Sequence, residues 1–160
     1  MITEQEMNRT MMTLKIIWGA ILMSLAFYLA AGLLATPSMP SAIGSEAFAA
    51  LRRILYGLAI AALVAARYIR RLILAGKSRD VGSAQAQPTS PMQRYTSAVI
   101  VTLALSESVG IFGLVLCLLG KNSSDLYLLL GISAAAMIYY RPRKEELKSL
   151  CQDQSNGLAR

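Results

Sequence analysis

The stretch from Thr96 to Leu119 constrains the fold more than any other part of the chain. Its 24 residues contain a single charged side chain, Glu107, close to the middle. A helix of this length can cross the hydrocarbon core of a bilayer. Glu107 would then lie near the midplane, where a charge costs roughly 2.5–3.5 kcal/mol on insertion scales. The stretch predicts a membrane helix, and Glu107 becomes the first candidate for a functional residue.

The composition of the whole chain agrees with an integral membrane protein. Hydrophobic residues make up 55% of the sequence, above the roughly 45–50% of soluble domains. Histidine is absent and the two cysteines, Cys117 and Cys151, lie in unlike surroundings, so no disulfide, metal site or His-based catalysis is predicted. The formal charge of +7 comes from residues beside apolar segments, which argues against a nucleic-acid partner. We therefore expect no enzyme activity, cofactor or metal.

Four apolar runs predict an all-α protein with four transmembrane helices. The second run has the shortest apolar core, 54–66, and needs its flanking arginines to extend toward the interface. The first run is longer than the core of a cleavable signal peptide and lacks its small-residue cleavage pattern. The predicted divisions are a polar lead-in or helix start (1–12), a first helix pair (13–76), a linker (77–95), a second helix pair (96–140) and a polar tail (141–160). A first loop is predicted at 36–45, with Ser45 as the N-cap of the second helix, and the third helix is predicted to end at Gly120, before a polar turn.

The distribution of Lys and Arg predicts the orientation. Four spans put 13 of these residues at the termini and in the middle linker, and leave Arg52, Arg53 and Lys121 on the other side. Cytoplasmic segments of membrane proteins carry the excess of Lys and Arg. Both termini and the linker are therefore predicted to be cytoplasmic, and the small size and short loops favour a bacterial inner membrane.

The letters ALSESVGIFGLVL, Ala104 to Leu116, resemble the ion-carrying helix of the proteolipid (c) subunits of rotary ATPases. In that family a membrane-embedded carboxylate precedes an Ile-Tyr-Gly-Leu-Val type segment, and Glu107 has the matching register. Gln87-Pro88 is similar to the family's Arg-Gln-Pro loop. The resemblance covers Ser45 to Leu119 and implies a proteolipid-like hairpin that binds an ion or proton in an oligomer.

The chain also departs from the family pattern. Ala86 occupies the position of the loop arginine, and Phe112 replaces a frequent tyrosine. Ser108 matches a serine of sodium-binding members, but the apolar part of the second helix offers no glutamine or carboxylate to complete a sodium site, so a proton is the expected ion. The carboxylate lies on the third of four predicted spans, whereas four-helix proteolipids carry theirs on even-numbered spans.

Two hypotheses for Glu107 follow. In the first, burial favours the neutral form and Glu107 binds and relays protons. The residues expected to shape its pocket are Ser106, Ser108, Gly110 and Phe112, with Thr102 as a further hydroxyl. The hydroxyls of Thr102 and Ser106 could instead bond to carbonyls of their own helix. In the second hypothesis Glu107 is a structural polar contact between helices in a membrane scaffold or accessory subunit.

Three further basic residues, Arg67, Arg70 and Arg71, form a cluster at the end of the second helix. Such clusters can recognise anionic lipid or a cytosolic partner, and they also serve simply to set topology. The expected partners are membrane lipid and either a second copy of the chain or another membrane subunit.

Overall fold

A computed structural model describes residues 4–35, 44–74, 91–121 and 123–149. Within these residues the chain is helical and contains no strand, which confirms the all-α prediction. The four long helices are α1 (Glu4–Ala35), α2 (Ser45–Leu74), α3 (Pro91–Gly120) and α4 (Ser123–Tyr139). A short helical segment, 144–149, follows α4.

Three of the helices, α1, α2 and α3, are long and apolar enough to cross a membrane. α4 is equally apolar in character but shorter, at 17 residues. The surfaces of α1 and α2 expose many large apolar side chains, among them Phe27, Leu34 and Ile60. Exposure on this scale would be unfavourable in water, so these helices indicate a membrane-embedded protein.

Two helices begin earlier than the apolar pattern indicates. α1 starts at Glu4, inside the predicted polar lead-in, and buries Met11 and Leu14. α3 starts at Pro91, inside the predicted linker. Proline is favoured in the first turn of a helix because its missing N–H is not needed there. The early start of α3 also places Tyr95 in the core, fully buried.

The turns between helices differ from expectation in detail. The backbone N–H of Phe48 donates to the carbonyl of Gly44 at 3.0 Å, so Gly44, rather than the predicted Ser45, occupies the N-cap position of α2. α3 ends at Gly120 as predicted, and Lys121 follows in the left-handed region with φ of 53°. The predicted first loop and most of the linker lie outside the described residues.

α3 is the central helix, because it packs against α1, α2 and α4. In its most apolar 18-residue window 44% of the residues are buried, against 11% for α1 and 6% for α2. α4 contacts α1 as well as α3, whereas the main partner of α2 is α3. The apolar stretch from Thr96 to Leu119, which lies within α3, is therefore also at the centre of the helix packing.

Small residues on α3 allow α1 and α4 to approach closely. A Cβ added at Gly113 would lie 3.0 Å from Cβ of Leu129 and 3.4 Å from the Leu126 carbonyl oxygen. About two turns earlier on α3, the carbonyl of Ser106 accepts a hydrogen bond from the Ser133 hydroxyl of α4 at 2.6 Å. Small residues and interhelical hydrogen bonds are the usual means of packing helices in a bilayer.

Successive helices run in opposite directions, so the molecule has two distinct ends. At the end formed by the start of α1, the end of α2, the start of α3 and residues 141–149, Lys144 Nζ donates to Asn8 Oδ1 at 3.0 Å. We call this the basic end. Ten of the 13 described Lys and Arg residues lie toward it, and Arg52, Arg53 and Lys121 lie toward the other.

Candidate functional site

Glu107 lies in the middle third of α3, about 24 Å along the helix axis from Pro91 and about 20 Å from Gly120. Its side chain is partly buried against α1. Two hydroxyls of α1 donate to the same carboxylate oxygen, Oε1: Ser24 at 2.6 Å and Tyr28 at 2.8 Å. The carboxylate is therefore held by a different helix from the one that carries it.

Ser24 and Tyr28 reach Glu107 together because they are four residues apart on α1. Residues with this spacing lie one above the other on the same helix face. The spacing lets one oxygen of Glu107 receive both hydroxyls without distortion of either helix. The site is thus a three-residue cluster, Ser24–Tyr28–Glu107, across the α1–α3 contact.

The Ser24 hydroxyl has two acceptors within reach. Besides Glu107 Oε1 at 2.6 Å, its Oγ lies 2.7 Å from the Ile21 carbonyl oxygen. A serine hydroxyl carries one proton, so it donates fully to one of the two at a time. The Ile21 carbonyl can also accept an N–H within its own helix, so it does not depend on Ser24.

This arrangement can accommodate both protonation states of Glu107. When the carboxylate is charged, Ser24 and Tyr28 can both donate to it. When it is neutral, Ser24 can turn its proton to Ile21 and accept a hydrogen bond from the carboxyl group through Oγ. Neither state leaves a hydroxyl of the cluster without a hydrogen-bond partner.

The hydroxyls expected from α3 itself point elsewhere. Thr102 donates to Ala98, Ser106 to Thr102 and Ser108 to Leu105, each to a backbone carbonyl at 2.6–2.9 Å. This is the self-bonded alternative considered for Thr102 and Ser106, and it holds for Ser108 as well. Serine and threonine in apolar helices satisfy themselves this way when no better acceptor faces them.

The other two expected pocket residues have packing contacts. A Cβ added at Gly110 would lie 2.7 Å from Cδ2 of Leu25 and 3.2 Å from Cδ2 of Leu130, so Gly110 makes room for α1 and α4. Phe112 packs in the apolar cluster between α2, α3 and α4. The phenol group near Glu107 is instead that of Tyr28, which lies outside the hairpin that the family resemblance covers.

A second carboxylate, Asp125, was not predicted as a site residue. It is buried in the first turn of α4, and its Oδ1 accepts from Arg52 Nη2 and from the Tyr56 hydroxyl, each at 2.7 Å. Its Oδ2 is buried without a hydrogen-bond partner. The i, i+4 spacing of Arg52 and Tyr56 was the available signal, but nothing in it identifies Asp125 as the shared partner.

The arginine cluster of α2 lies at the basic end, beside the segment that follows α4. Arg70 Nη2 is 2.6 Å from Glu146 Oε2, and its guanidinium lies 5.4 Å from the centre of the Tyr140 ring. Arg67 and Arg71 are exposed at the same end. The three arginines therefore lie at the basic end, whereas Glu107 lies in the middle third of α3, and they belong to a separate site.

The described residues contain no group of three or more His, Cys, Asp or Glu side chains that could hold a metal ion. Comparisons with protein-family models, with curated proteins and with solved structures found no match for the chain.

Proposed function

We propose that the chain is a multi-pass membrane protein that binds and releases a proton at Glu107. The observation that carries the proposal is the position of the Ser24 hydroxyl, within 2.7 Å of both Glu107 Oε1 and the Ile21 carbonyl oxygen. A single proton that can serve either acceptor compensates for the gain or loss of a proton on the carboxylate. The Ile21 contact alone is ordinary for a helical serine; the support comes from its combination with the Glu107 contact on the same hydroxyl.

The location of the cluster is also suited to exchange. Glu107 is only partly buried, and on α3 it shares a helix face with Ile100, Ala104 and Ile111, which are exposed. α1 and α2 flank this face without packing closely on each other. A proton donor or a neighbouring subunit can therefore approach Glu107 from the side without the bundle opening.

In this proposal α2 and α3 form the proteolipid-like hairpin. They run in opposite directions and pack against each other, as such a hairpin requires. Rotary proteolipids work as rings, so we propose a homo-oligomer, or a complex with another membrane subunit, in which the exposed face of α3 is covered. The third-helix position of Glu107 and its α1 partners make this a divergent relative rather than an ordinary rotor subunit.

The proposed topology has four spans and cytoplasmic termini in a bacterial inner membrane. α4, at 17 residues, has a length of about 25 Å, the short end of the range for a span. The excess of Lys and Arg at the basic end supports the assignment of that end to the cytoplasm.

The second candidate function is a membrane scaffold or accessory subunit in which Glu107 never titrates. The specific observation in its favour is that α1 buries few residues, Met11, Leu14, Leu25 and Gly32. The hydrogen bonds from Ser24 and Tyr28 therefore add to a limited apolar contact of α1 with its neighbours. A permanently neutral Glu107 would provide that attachment equally well.

Carbodiimide labelling distinguishes the two candidates, because the reagent modifies protonated carboxyl groups in apolar surroundings. The full-length protein in lipid nanodiscs is labelled at a series of pH values, and the modified residue is located by mass spectrometry. We expect labelling at Glu107 to decline between pH 5 and 9. Glu107→Gln is the control that removes the reactive group.

Labelling of Glu107 that stays constant across this range means that the residue does not exchange protons. That result would eliminate the proton-binding function and leave the scaffold.

A further inference from the structure

The basic end of the molecule contains a cleft that the proposed function does not use. It has a volume of about 520 Å³ and lies between the end of α2 and the segment that follows α4. Five arginines and two glutamates line it, which gives a formal charge of +3. The arginines are Arg67, Arg70, Arg71, Arg141 and Arg143.

The charges of the cleft are only partly neutralised within the described part of the chain. Of the five arginines, Arg70 alone takes part in an ion pair there, with Glu146. The Arg70 side chain is only 11% exposed. Its Nη1 is buried and has no hydrogen-bond partner among the described residues. Burying a charge without full hydrogen bonding is costly, so an anion bound in the cleft is stabilised by the charge of Arg70 without contact to Nη1.

The guanidinium of Arg70 is fixed in place rather than free to turn toward water. Glu146 holds Nη2 at 2.6 Å, and the ring of Tyr140 covers the group at 5.4 Å. Tyr140 in turn packs edge to face with Tyr139, with 5.0 Å between ring centres. A guanidinium held in this way keeps its positive charge at a fixed place in the wall of the cleft, where it attracts a phosphate bound by the neighbouring exposed arginines.

An apolar surface adjoins the cleft. On α2, Val64, Arg67, Tyr68 and Arg71 share one helix face by their spacing. Val64 and Tyr68 are each 64% exposed, and both lie nearer the helix middle than Arg71. A ligand that fits both surfaces has a phosphate at one end and a hydrocarbon chain at the other.

We propose that this cleft binds the phosphate of an anionic phospholipid. The headgroup phosphate is bound by the exposed guanidinium groups of Arg71 and Arg143, with the charge of Arg70 behind them, and an acyl chain lies along the exposed face of α2. Zwitterionic lipid carries the same phosphate with a compensating cation and gains less from a cleft of positive charge. Free phosphate offers the oxygens without the chain and uses only half of the surface.

The test is a lipid titration followed by native mass spectrometry. The full-length protein is purified in a non-ionic detergent, stripped of lipid and titrated with dioleoylphosphatidylglycerol or dioleoylphosphatidylcholine. We expect the anionic lipid to bind at least about tenfold more tightly. Arg71→Gln and Arg143→Gln should each weaken it by about fivefold, while Arg53→Gln, which removes the same charge from the opposite end of α2, should change it less than about twofold.

Arg70→Gln is expected to give the largest loss, but it also breaks the ion pair with Glu146. The conclusion therefore rests on Arg71→Gln and Arg143→Gln, whose side chains take part in no ion pair among the described residues.

Equal affinity of the protein for the two lipids overturns the proposal. So does a loss of affinity with Arg53→Gln that equals the loss with Arg71→Gln or Arg143→Gln, because charge would then act without a specific site. Competition with inorganic phosphate is the last part of the test. If millimolar phosphate displaces the anionic lipid completely, the ligand is the free anion and the lipid assignment is wrong; if the lipid stays bound, the acyl chain contributes as proposed.

Discussion

At the scale of single residues, the sequence identified the carboxylate but not its partners. Glu107 is conspicuous because it is the only charged side chain in a long apolar stretch. Ser24 and Tyr28, by contrast, are ordinary residues of an apolar helix, and their role depends on which face of α1 meets α3. A helix that is apolar all round does not reveal that face.

Tyr28→Phe tests the partnership directly. The variant removes a hydroxyl that donates to Oε1 at 2.8 Å, and such a donor favours the charged carboxylate. We therefore expect carbodiimide labelling of Glu107 to persist to higher pH in Tyr28→Phe than in the unchanged protein.

Tyr127→Phe is the matched control, since Tyr127 is 53% exposed on α4. Coincident labelling profiles for Tyr28→Phe and the unchanged protein would show that the phenol does not act on Glu107.

The Asp125 cluster makes a prediction about stability. Tyr56→Phe removes one of the two donors to Oδ1 and leaves a buried carboxylate that already has one oxygen without a partner. We expect a loss of about 1–3 kcal/mol in the free energy of unfolding, the range for a hydrogen bond to a charged group. Denaturant titration in detergent micelles measures it.

Tyr68→Phe, on the same helix but 64% exposed, should change stability by less than about 0.5 kcal/mol. Equal effects of the two substitutions would mean that the hydroxyl of Tyr56 contributes nothing specific.

At the scale of elements, the pattern of apolar runs predicted four helices and the turn after Gly120. It left the start of α1 open and placed the start of α3 too late, since polar residues near a helix end do not show whether the helix continues. Tertiary contacts decide those starts: Met11 and Leu14 are buried in the core, and the Tyr95 hydroxyl accepts from the Arg143 N–H at 2.9 Å. Neither contact can be inferred from local sequence.

The close contact of α3 with α4 predicts that α3 tolerates bulk poorly at Gly113. The space there is limited by Cβ of Leu129 and by the α4 backbone at Leu126, which cannot turn away as a side-chain end can. Gly113→Val should therefore destabilise the protein by about 1–3 kcal/mol, seen as a lower midpoint of thermal unfolding.

Gly131→Val provides the comparison within α4, because no atom lies within 4 Å of a Cβ at that position. The midpoint of thermal unfolding of Gly131→Val should equal that of the unchanged protein or be slightly higher, since valine is a better helix former than glycine. A Gly113→Val protein as stable as Gly131→Val would contradict the close packing of the two helices.

At the scale of the whole molecule, the arrangement of charges predicts which end faces the cytoplasm. Cysteine labelling measures it in bacterial cells that express the full-length chain with its own cysteines replaced by serine. An impermeant maleimide should label Arg53→Cys in intact cells, and Lys144→Cys only after permeabilisation. Both side chains are exposed, at opposite ends of the molecule.

Labelling of Lys144→Cys in intact cells, with Arg53→Cys labelled only after permeabilisation, would mean that the molecule is inserted in the opposite orientation. Labelling of both variants in intact cells would mean that the short α4 does not span.

The central position of α3 also affects how the protein is made. α1 and α2 leave the ribosome first, yet among the described residues they pack mainly on α3 and α4 rather than on each other. The first half of the chain therefore enters the lipid without its native neighbours. Native packing waits for synthesis to pass Gly120, when α3 can insert together with α4 as one hairpin. Assembly is thus concentrated after the synthesis of α3, and a chain truncated before α3 lacks the helix on which α1 and α2 pack.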